Sequence, residues 1–323
     1  MVMVMAMAMA MVMAMVGIPR KVQNKDTLMI KRYEMSYNRP KVIAEIGCNH
    51  KGDMKIAKEL IIIAAQSGVD VAKFQKRNNR ELLTEEQYNQ PHPNPINSYG
   101  DTYGDHREFL EFDLNQHKEL KEFAESLDIL YSTSVWDTTS AEEIISLDPR
   151  LIKVPSACNN HFEMLRVLRD KYKGEVHISF GMTTKDEEEE IVSFFEEENQ
   201  GNRLVVYSCT SGYPVSFEDI CMLEIARIKK NFKNRVKSIG FSGHHLGIAV
   251  DISAYTLGAE WIERHFTLDR TWKGTDHAAS LEPAGLKKLA RDLRATHRSL
   301  SLKKIDILPV ERSQRDKLKF RRK

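Results

Sequence analysis

The 323-residue sequence is poor in cysteine, with Cys48, Cys158, Cys209 and Cys221 alone. None stands in a CxxC pair. That spacing excludes a disulfide-stapled scaffold and a cysteine-built metal cluster, and it fits a reducing cytoplasm. An excess of one charge is also missing. Lysine and arginine number 48 against 46 acidic residues, a net charge of +2, so nothing directs the chain to nucleic acid or an anionic membrane. Apolar runs stay short of a membrane span, which takes about 20 residues. The apolar run that opens the chain, MVMVMAMAMAMVMAMV, has no basic residues before it, unlike a signal peptide. Residues 1–35 are therefore read as a low-complexity or disordered extension, a misplaced start being favoured with Met29 and Met35 as alternatives and a weak membrane anchor as the remaining reading. No GxGxxG follows the first apolar stretch, which argues against an open dinucleotide-binding sheet.

What is present is an alternation. Short apolar runs at 42–47, 71–75, 129–134, 151–155, 176–180, 203–208, 237–242 and 260–266 read as buried parallel strands. Amphipathic stretches at 53–67, 116–127, 139–147, 160–171, 185–198, 216–232, 246–258 and 283–300 read as helices, the first opened by Asp53 and closed by Gly68. Eight strands alternating with eight helices predict an α/β protein, a closed (β/α)₈ TIM barrel over residues 36–302. A basic tail, 303–323, follows and ends in a frayed KLKFRRK. The acidic run Asp186 to Glu190 suits the first turn of a solvated helix. The connection over 76–113, with QPHPNPINSYGDTYGDHREF, is long enough for a lid or substrate-binding element, and equally for a surface excursion.

Barrel enzymes build their sites at the C-terminal ends of the strands. Here those ends carry Glu45 with Asn49 and His50, Lys73 and Gln75, Ser132 and Thr133, Lys153 and Ser156, and Ser179. Later ends carry Ser208 with Thr210 and Ser211, Ser242 with His244 and His245, and Glu263 with His265. Singly, a strand lysine reads as a peripheral ion pair and a lone histidine as structural. Together, Lys73 and Lys153 interrupt apolar strands, where an unpaired ammonium costs several kcal/mol, so an anion is expected between them. Hydroxyls at Thr133, Ser156, Ser179 and Ser242 would add donors to it. His244 and His265 end neighbouring strands and could share a divalent ion that keeps positions open for water and substrate. Cys48 and Cys209 show no basic partner and read as packing residues.

The motifs IAEIGCNHKGD, VAKFQ, IKVPSACNN, CTSGYP, FSGHH and ERHFTLDRTWKGTDHAASLEP, in this order, resemble the sialic acid synthase family over roughly residues 41–290. The loop GDTYGDHREFLEF is similar to its vertebrate N-acylneuraminate-9-phosphate synthase branch. The resemblance implies condensation of phosphoenolpyruvate with an N-acylated amino-sugar aldehyde, such as N-acetylmannosamine or its 6-phosphate, releasing phosphate. It implies phosphoenolpyruvate held by Lys73, Thr133, Lys153, Ser156, Ser179 and Ser242. It further implies manganese or magnesium on His244 and His265, and the open-chain sugar at Glu45, Gln75, Tyr213 and Asp276. Three departures stand out. SACNN is one residue shorter than the family's fourth-strand motif and lacks its carboxylate. Ser211 stands where asparagine is common. The sequence ends about where a linker into a C-terminal antifreeze-protein-like domain would lie. Through that domain family members pair as swapped dimers, and it lends an arginine to the partner's sugar site. The oligomeric state is left open, with a homodimer among the options, and a barrel alone would need a cation from its long loop or elsewhere. Two other readings remain open: a class I aldolase with Lys73 or Lys153 as Schiff-base nucleophile, and a non-catalytic barrel kept as a binding subunit.

Overall fold

The structure, a computed structural model, describes residues 37–320; the extension assigned to 1–35 and the last residues of the basic tail lie outside them. Eight strands form one closed parallel barrel in sequence order: β1 Lys41–Gly47, β2 Val71–Lys76, β3 Leu130–Val135, β4 Leu151–Val154, β5 Glu175–Ser179, β6 Leu204–Cys209, β7 Ser238–Gly243 and β8 Trp261–His265. Each expected strand is present, displaced by a residue or two at its ends. β1 closes the barrel by pairing with β8, with Glu45 opposite His265.

α1 (Met54–Ser67) is bounded as its sequence signals require. The Asp53 carboxylate accepts from the Lys55 amide, and Gly68 takes the left-handed conformation (φ 75°) that a C-terminal cap favours. The long connection after β2 folds into three short helices, α2 (Asn79–Leu82), α3 (Glu85–Asn89) and α4 (Tyr103–Leu110). Thr84 and Thr102 each close a capping box there, so this segment has internal structure and is no loose excursion. Then follow α5 (Leu114–Glu125), α6 (Thr138–Ser146), α7 (Phe162–Lys171), α8 (Lys185–Glu196), α9 (Leu223–Phe232), α10 (Ala249–Leu257) and α11 (Pro283–Ser299).

Differences from the expected helices have local causes. α9 starts seven residues later than 216, because Glu218–Ile220 forms a separate 3-10 turn and Cys221 adopts a positive φ of 52° that breaks the helix before it forms. The acidic run does open α8, capped by Thr184, but Glu188 is buried against Arg227 at 2.7 Å and is not solvated. Within the expected tail, Pro309–Leu318 forms an exposed helix, α12, started by a proline in its first turn.

The barrel is filled from below by Ile43, Val71, Leu151, Val205, Tyr207 and Trp261, with Leu130 against them. Side chains two residues further along a strand point the same way. The polar residues at the strand ends therefore form the next layer up.

Candidate active site

That layer is a chain of buried charges. The Lys73 ammonium pairs with the Glu45 carboxylate, donates to Ser134 Oγ at 2.6 Å and lies 3.8 Å from Glu263 Oε1. Lys153 donates to both Glu263 oxygens, at 3.0 and 3.2 Å, and its Nζ sits 3.9 Å above the Tyr207 ring. Glu45, Lys73, Lys153 and Glu263 are each at most 6% exposed. The two lysines do have an anion between them, as their burial demands, but the protein supplies it. Burial pushes the Glu263 carboxyl up, yet Lys153 and then Lys73 outweigh it and hold the group down at about 2. Burial lowers Lys153, with Glu263 opposing. Two ammonium groups against two carboxylates leave this floor near neutral. Of the two lysines, Lys153 lines the cavity above and would meet an anionic substrate together with the hydroxyls there.

Above it opens a cavity of about 380 Å³ at the C-terminal mouth. Ser156, Ser179, Ser211 and Ser242 line it together with Lys153, Gln75 and Tyr213. Ser242 also donates to Glu263 Oε1 at 3.2 Å. The Gly181 amide donates to Ser156 Oγ at 3.0 Å, and a Cβ at Gly181 would fall 2.4 Å from Ser211 Oγ and 2.6 Å from Ser156 Oγ. Only glycine lets these hydroxyls crowd together there.

Thr133 is a correction. In β3 the inward side chains are Ser132 and Ser134, and Thr133 faces the helix layer. Its hydroxyl bonds Tyr131, whose own hydroxyl lies 2.7 Å from His117 Nδ1 on α5. Ser134, one residue on, lines the cavity and accepts from Lys73. Thr133→Val should therefore cost about 1 kcal/mol of stability for a lost buried hydrogen bond and leave the kinetics in place. Ser134→Ala should raise the KM for phosphoenolpyruvate several-fold. Paired thermal melts and steady-state kinetics check both; a larger kinetic effect at Thr133 would restore it to the site.

The rim by β7 and β8 holds His244, His265, Tyr213 and Asp276. The two imidazole centroids lie 5.3 Å apart, with the Tyr213 ring 4.3 Å from His244 and 5.7 Å from His265. His244 Nδ1 meets the Thr210 carbonyl at 3.0 Å. A carbonyl only accepts, so Nδ1 carries the proton and Nε2 keeps its lone pair. Burial and then His265 lower His244 to about 4, so it is neutral at physiological pH. His265 Nδ1 is buried without a hydrogen-bond partner among the described residues, 3.7 Å from Asp276 Oδ2. Burial raises the Asp276 carboxyl, but His265 and the Thr275 hydroxyl prevail and hold it below its usual range. These donors fit a divalent ion on two imidazoles. Among the described residues no group of three His, Cys, Asp or Glu converges as a ready ligand set.

Gln75 donates to Glu45 Oε1 at 2.9 Å, tying the rim to the charged floor. Cys48 does have a basic partner, Arg77, whose Nη2 lies 2.7 Å from its sulfur. Burial nevertheless pushes this thiol up to about 11, so it stays protonated and no nucleophile arises there. In the shortened fourth-strand loop, Asn159 donates to the Ser179 carbonyl at 2.8 Å and to Thr183 Oγ1 at 2.6 Å. The loop is thus anchored to the barrel through this amide. His245, whose ring is fully buried, faces the helices, within 3.0 Å of Arg264 Nη1, and belongs to a packing network with Asp251. Arg77, Arg107, Trp136 and Ser134 line the cavity without having been singled out from sequence, and so does Glu263, read there only as one more strand-end polar residue. Glu263 and Ser134 share strand parity with His265 and Ser132, a signal that was available. Arg107, inside the long connection, carries no such signal.

A closed parallel barrel with this charged, hydroxyl-lined mouth defines a (β/α)₈-barrel enzyme. Residues 60–304 match the NeuB family. The chain is 39% identical to human N-acetylneuraminate-9-phosphate synthase over 86% of its own length and 76% of that protein. It is 32% identical to the N,N'-diacetyllegionaminic acid synthase of Campylobacter jejuni, over 80% of this chain and 77% of that one. A crystal structure of N-acetylneuraminic acid (sialic acid) synthetase from Leptospira borgpetersenii superposes with a TM-score of 0.72 at 27% identity, covering 88% of this chain and 94% of that one. The chain belongs to the NeuB family.

Proposed function

We propose that the protein condenses phosphoenolpyruvate with an open-chain N-acylated amino-sugar aldehyde, forming a nonulosonic acid and releasing phosphate. The observation that carries this reading is the Glu45–Lys73–Glu263–Lys153 chain lying beneath a ring of serine hydroxyls, with two imidazoles on the adjoining rim. Lys153 with Ser156, Ser179 and Ser242 would hold the phosphate and carboxylate of phosphoenolpyruvate. Glu45, through Gln75, and Asp276 would orient the aldehyde, while Tyr213 and Ser211 wall the cavity against stray water. A manganese or magnesium ion held by His244 and His265 would act as Lewis acid toward the aldehyde. The phosphoenolpyruvate methylene forms the new carbon–carbon bond, water adds at the neighbouring carbon, and phosphate leaves by C–O cleavage. Lys73, held between the Glu45 and Glu263 carboxylates, would lie beneath the phosphate as it departs.

This reading fits a cytoplasmic enzyme acting on small molecules. Its four thiols form no disulfide, and among the described residues no helix is long and apolar enough to cross a membrane. A homodimer is part of the same reading, by resemblance. The test is phosphate release assayed with each substrate alone, with both, and with both plus EDTA. Release should need both substrates and should stop on chelation. Borohydride trapping of pyruvate on a lysine, with chelation harmless, would replace the reading with a Schiff-base aldolase.

A further inference from the structure

Two polar side chains lie inside the apolar layer that fills the barrel, and the reaction above uses neither. Tyr207 on β6 and His177 on β5 are each wholly buried. The Tyr207 hydroxyl lies 2.7 Å from His177 Nδ1, and His177 Nε2 lies 3.5 Å from a Glu175 oxygen. The other Glu175 oxygen meets Lys237 at 3.0 Å, and the Trp261 and His177 rings pack T-shaped with centroids 4.7 Å apart. Burial lowers the imidazole to about 4, so His177 is neutral. A pair of leucines would fill this layer with no polar group to satisfy, so packing alone does not account for a phenol and an imidazole here. What the pair achieves is to fix one ring. On the side facing the cavity, the Lys153 ammonium sits 3.9 Å from the Tyr207 centroid. On β7, Gly240 pairs with Tyr207, and a Cβ there would fall 2.4 Å from the ring's Cε1. That strand leaves out a side chain where the ring lies.

Resting on the reaction above, we propose that Tyr207 is a positioning residue for Lys153, its ring face holding the ammonium charged and directed at phosphoenolpyruvate. The negative face of an aromatic ring attracts a cation, and more strongly where water is excluded. Lys153 is faced by Glu263 on β8, Lys73 on β2, Cys209 on β6 and His177 on β5. Burial holds the Cys209 thiol protonated, His177 is neutral and Lys73 repels. Glu263 and the ring are therefore the groups that favour the charge. The ring carries no net charge itself. It supports the ammonium without adding a second carboxylate to compete with an anionic substrate.

The test compares Tyr207→Leu, Tyr207→Phe and Gly240→Ala by calorimetry with phosphoenolpyruvate, by steady-state kinetics and by NMR titration of the Lys153 side chain, assigned from its absence in Lys153→Met. Tyr207→Leu should weaken phosphoenolpyruvate binding about 10-fold, leave kcat within a few-fold and lower the Lys153 titration by about one pH unit. Tyr207→Phe keeps the ring and loses only the bond to His177. Its thermal midpoint should fall, while binding and titration stay close to those of the unaltered protein. Gly240→Ala pushes the ring aside with Lys153 and Tyr207 both present; it should weaken binding several-fold, and it reads the same contact should the leucine variant fail to fold. Folded Tyr207→Leu and Gly240→Ala proteins with unchanged affinity and titration overturn the proposal. A phenylalanine variant as impaired as the leucine one overturns it too, since the hydroxyl rather than the ring would then matter. The titration does not depend on turnover. Absence of phosphate release with any sugar in the unaltered protein would sink the reaction, while a lowered Lys153 titration in Tyr207→Leu would still show the ring's hold on the ammonium.

Discussion

Replacing His265 by alanine is expected to cut metal-dependent phosphate release by about 1,000-fold or more, while the thermal midpoint moves by only a few degrees. The kinetic part follows from the role assigned to the rim. If a divalent ion contributes several kcal/mol toward the aldehyde's developing charge, losing about 4 kcal/mol of it is a factor of about 1,000 in rate. The stability part follows from the contacts. The buried Nδ1 of His265 has no hydrogen-bond partner among the described residues, and its ring faces another imidazole at 5.3 Å. Taking it away removes no hydrogen bond at Nδ1 and unburies no ion pair shorter than 3.7 Å. Phosphate-release kinetics with added manganese, manganese binding by calorimetry and a thermal melt are the three measurements. Retained turnover would remove His265 from the ligand set; lost turnover accompanied by a collapse of the melt would make it a packing residue.

The barrel was legible in the sequence because parallel strands buried on both faces read as continuous apolar runs, and each such run is closed by a polar residue that burial alone cannot explain. Lys73, Lys153, His244 and His265 were visible for that reason. Misreadings arose where the sequence gives spacing but not direction. Thr133 and Ser134 are adjacent hydroxyls at one strand end, and which of them enters the cavity is set by the pleat, counted from Lys73 and Ser132 opposite each other in the register. The lysines' counter-ion was expected from outside because Glu263 reads as one more strand-end polar residue. Its role depends on β8 lying beside β7 and Ser242 pairing opposite it, a closure the sequence implies only once all eight strands are accepted. Arg107 was the least accessible. It reaches the cavity through three short helices whose packing no periodicity encodes.

Lys153→Met is expected to act on two quantities at once, and separating them tests the charged floor. The KM for phosphoenolpyruvate should rise about 10- to 100-fold, as for the loss of a charged hydrogen bond to the ligand. Stability should also fall, by about 3 kcal/mol or more, because Glu263 is left buried with Lys73 no nearer than 3.8 Å. The sign with pH distinguishes the causes. In the unaltered protein Glu263 titrates at about 2, below its ordinary 4.5, so its stabilisation is complete above pH 4.5 and is lost as pH falls from there toward 2. Without Lys153, the burial that raises this carboxyl is opposed chiefly by Lys73, and the pKa moves up. The deficit of the variant should therefore be largest at neutral pH and should shrink below about pH 4.5, as both proteins protonate the group. Adding Glu263→Gln to Lys153→Met removes the stranded charge and should recover much of the lost stability at neutral pH. It should not recover phosphoenolpyruvate binding, since the ammonium is still absent. A double variant that binds phosphoenolpyruvate as the unaltered protein does would show that Lys153 serves the fold alone. One that stays as unstable as the single variant would show that the penalty comes from repacking rather than from an unpaired carboxylate.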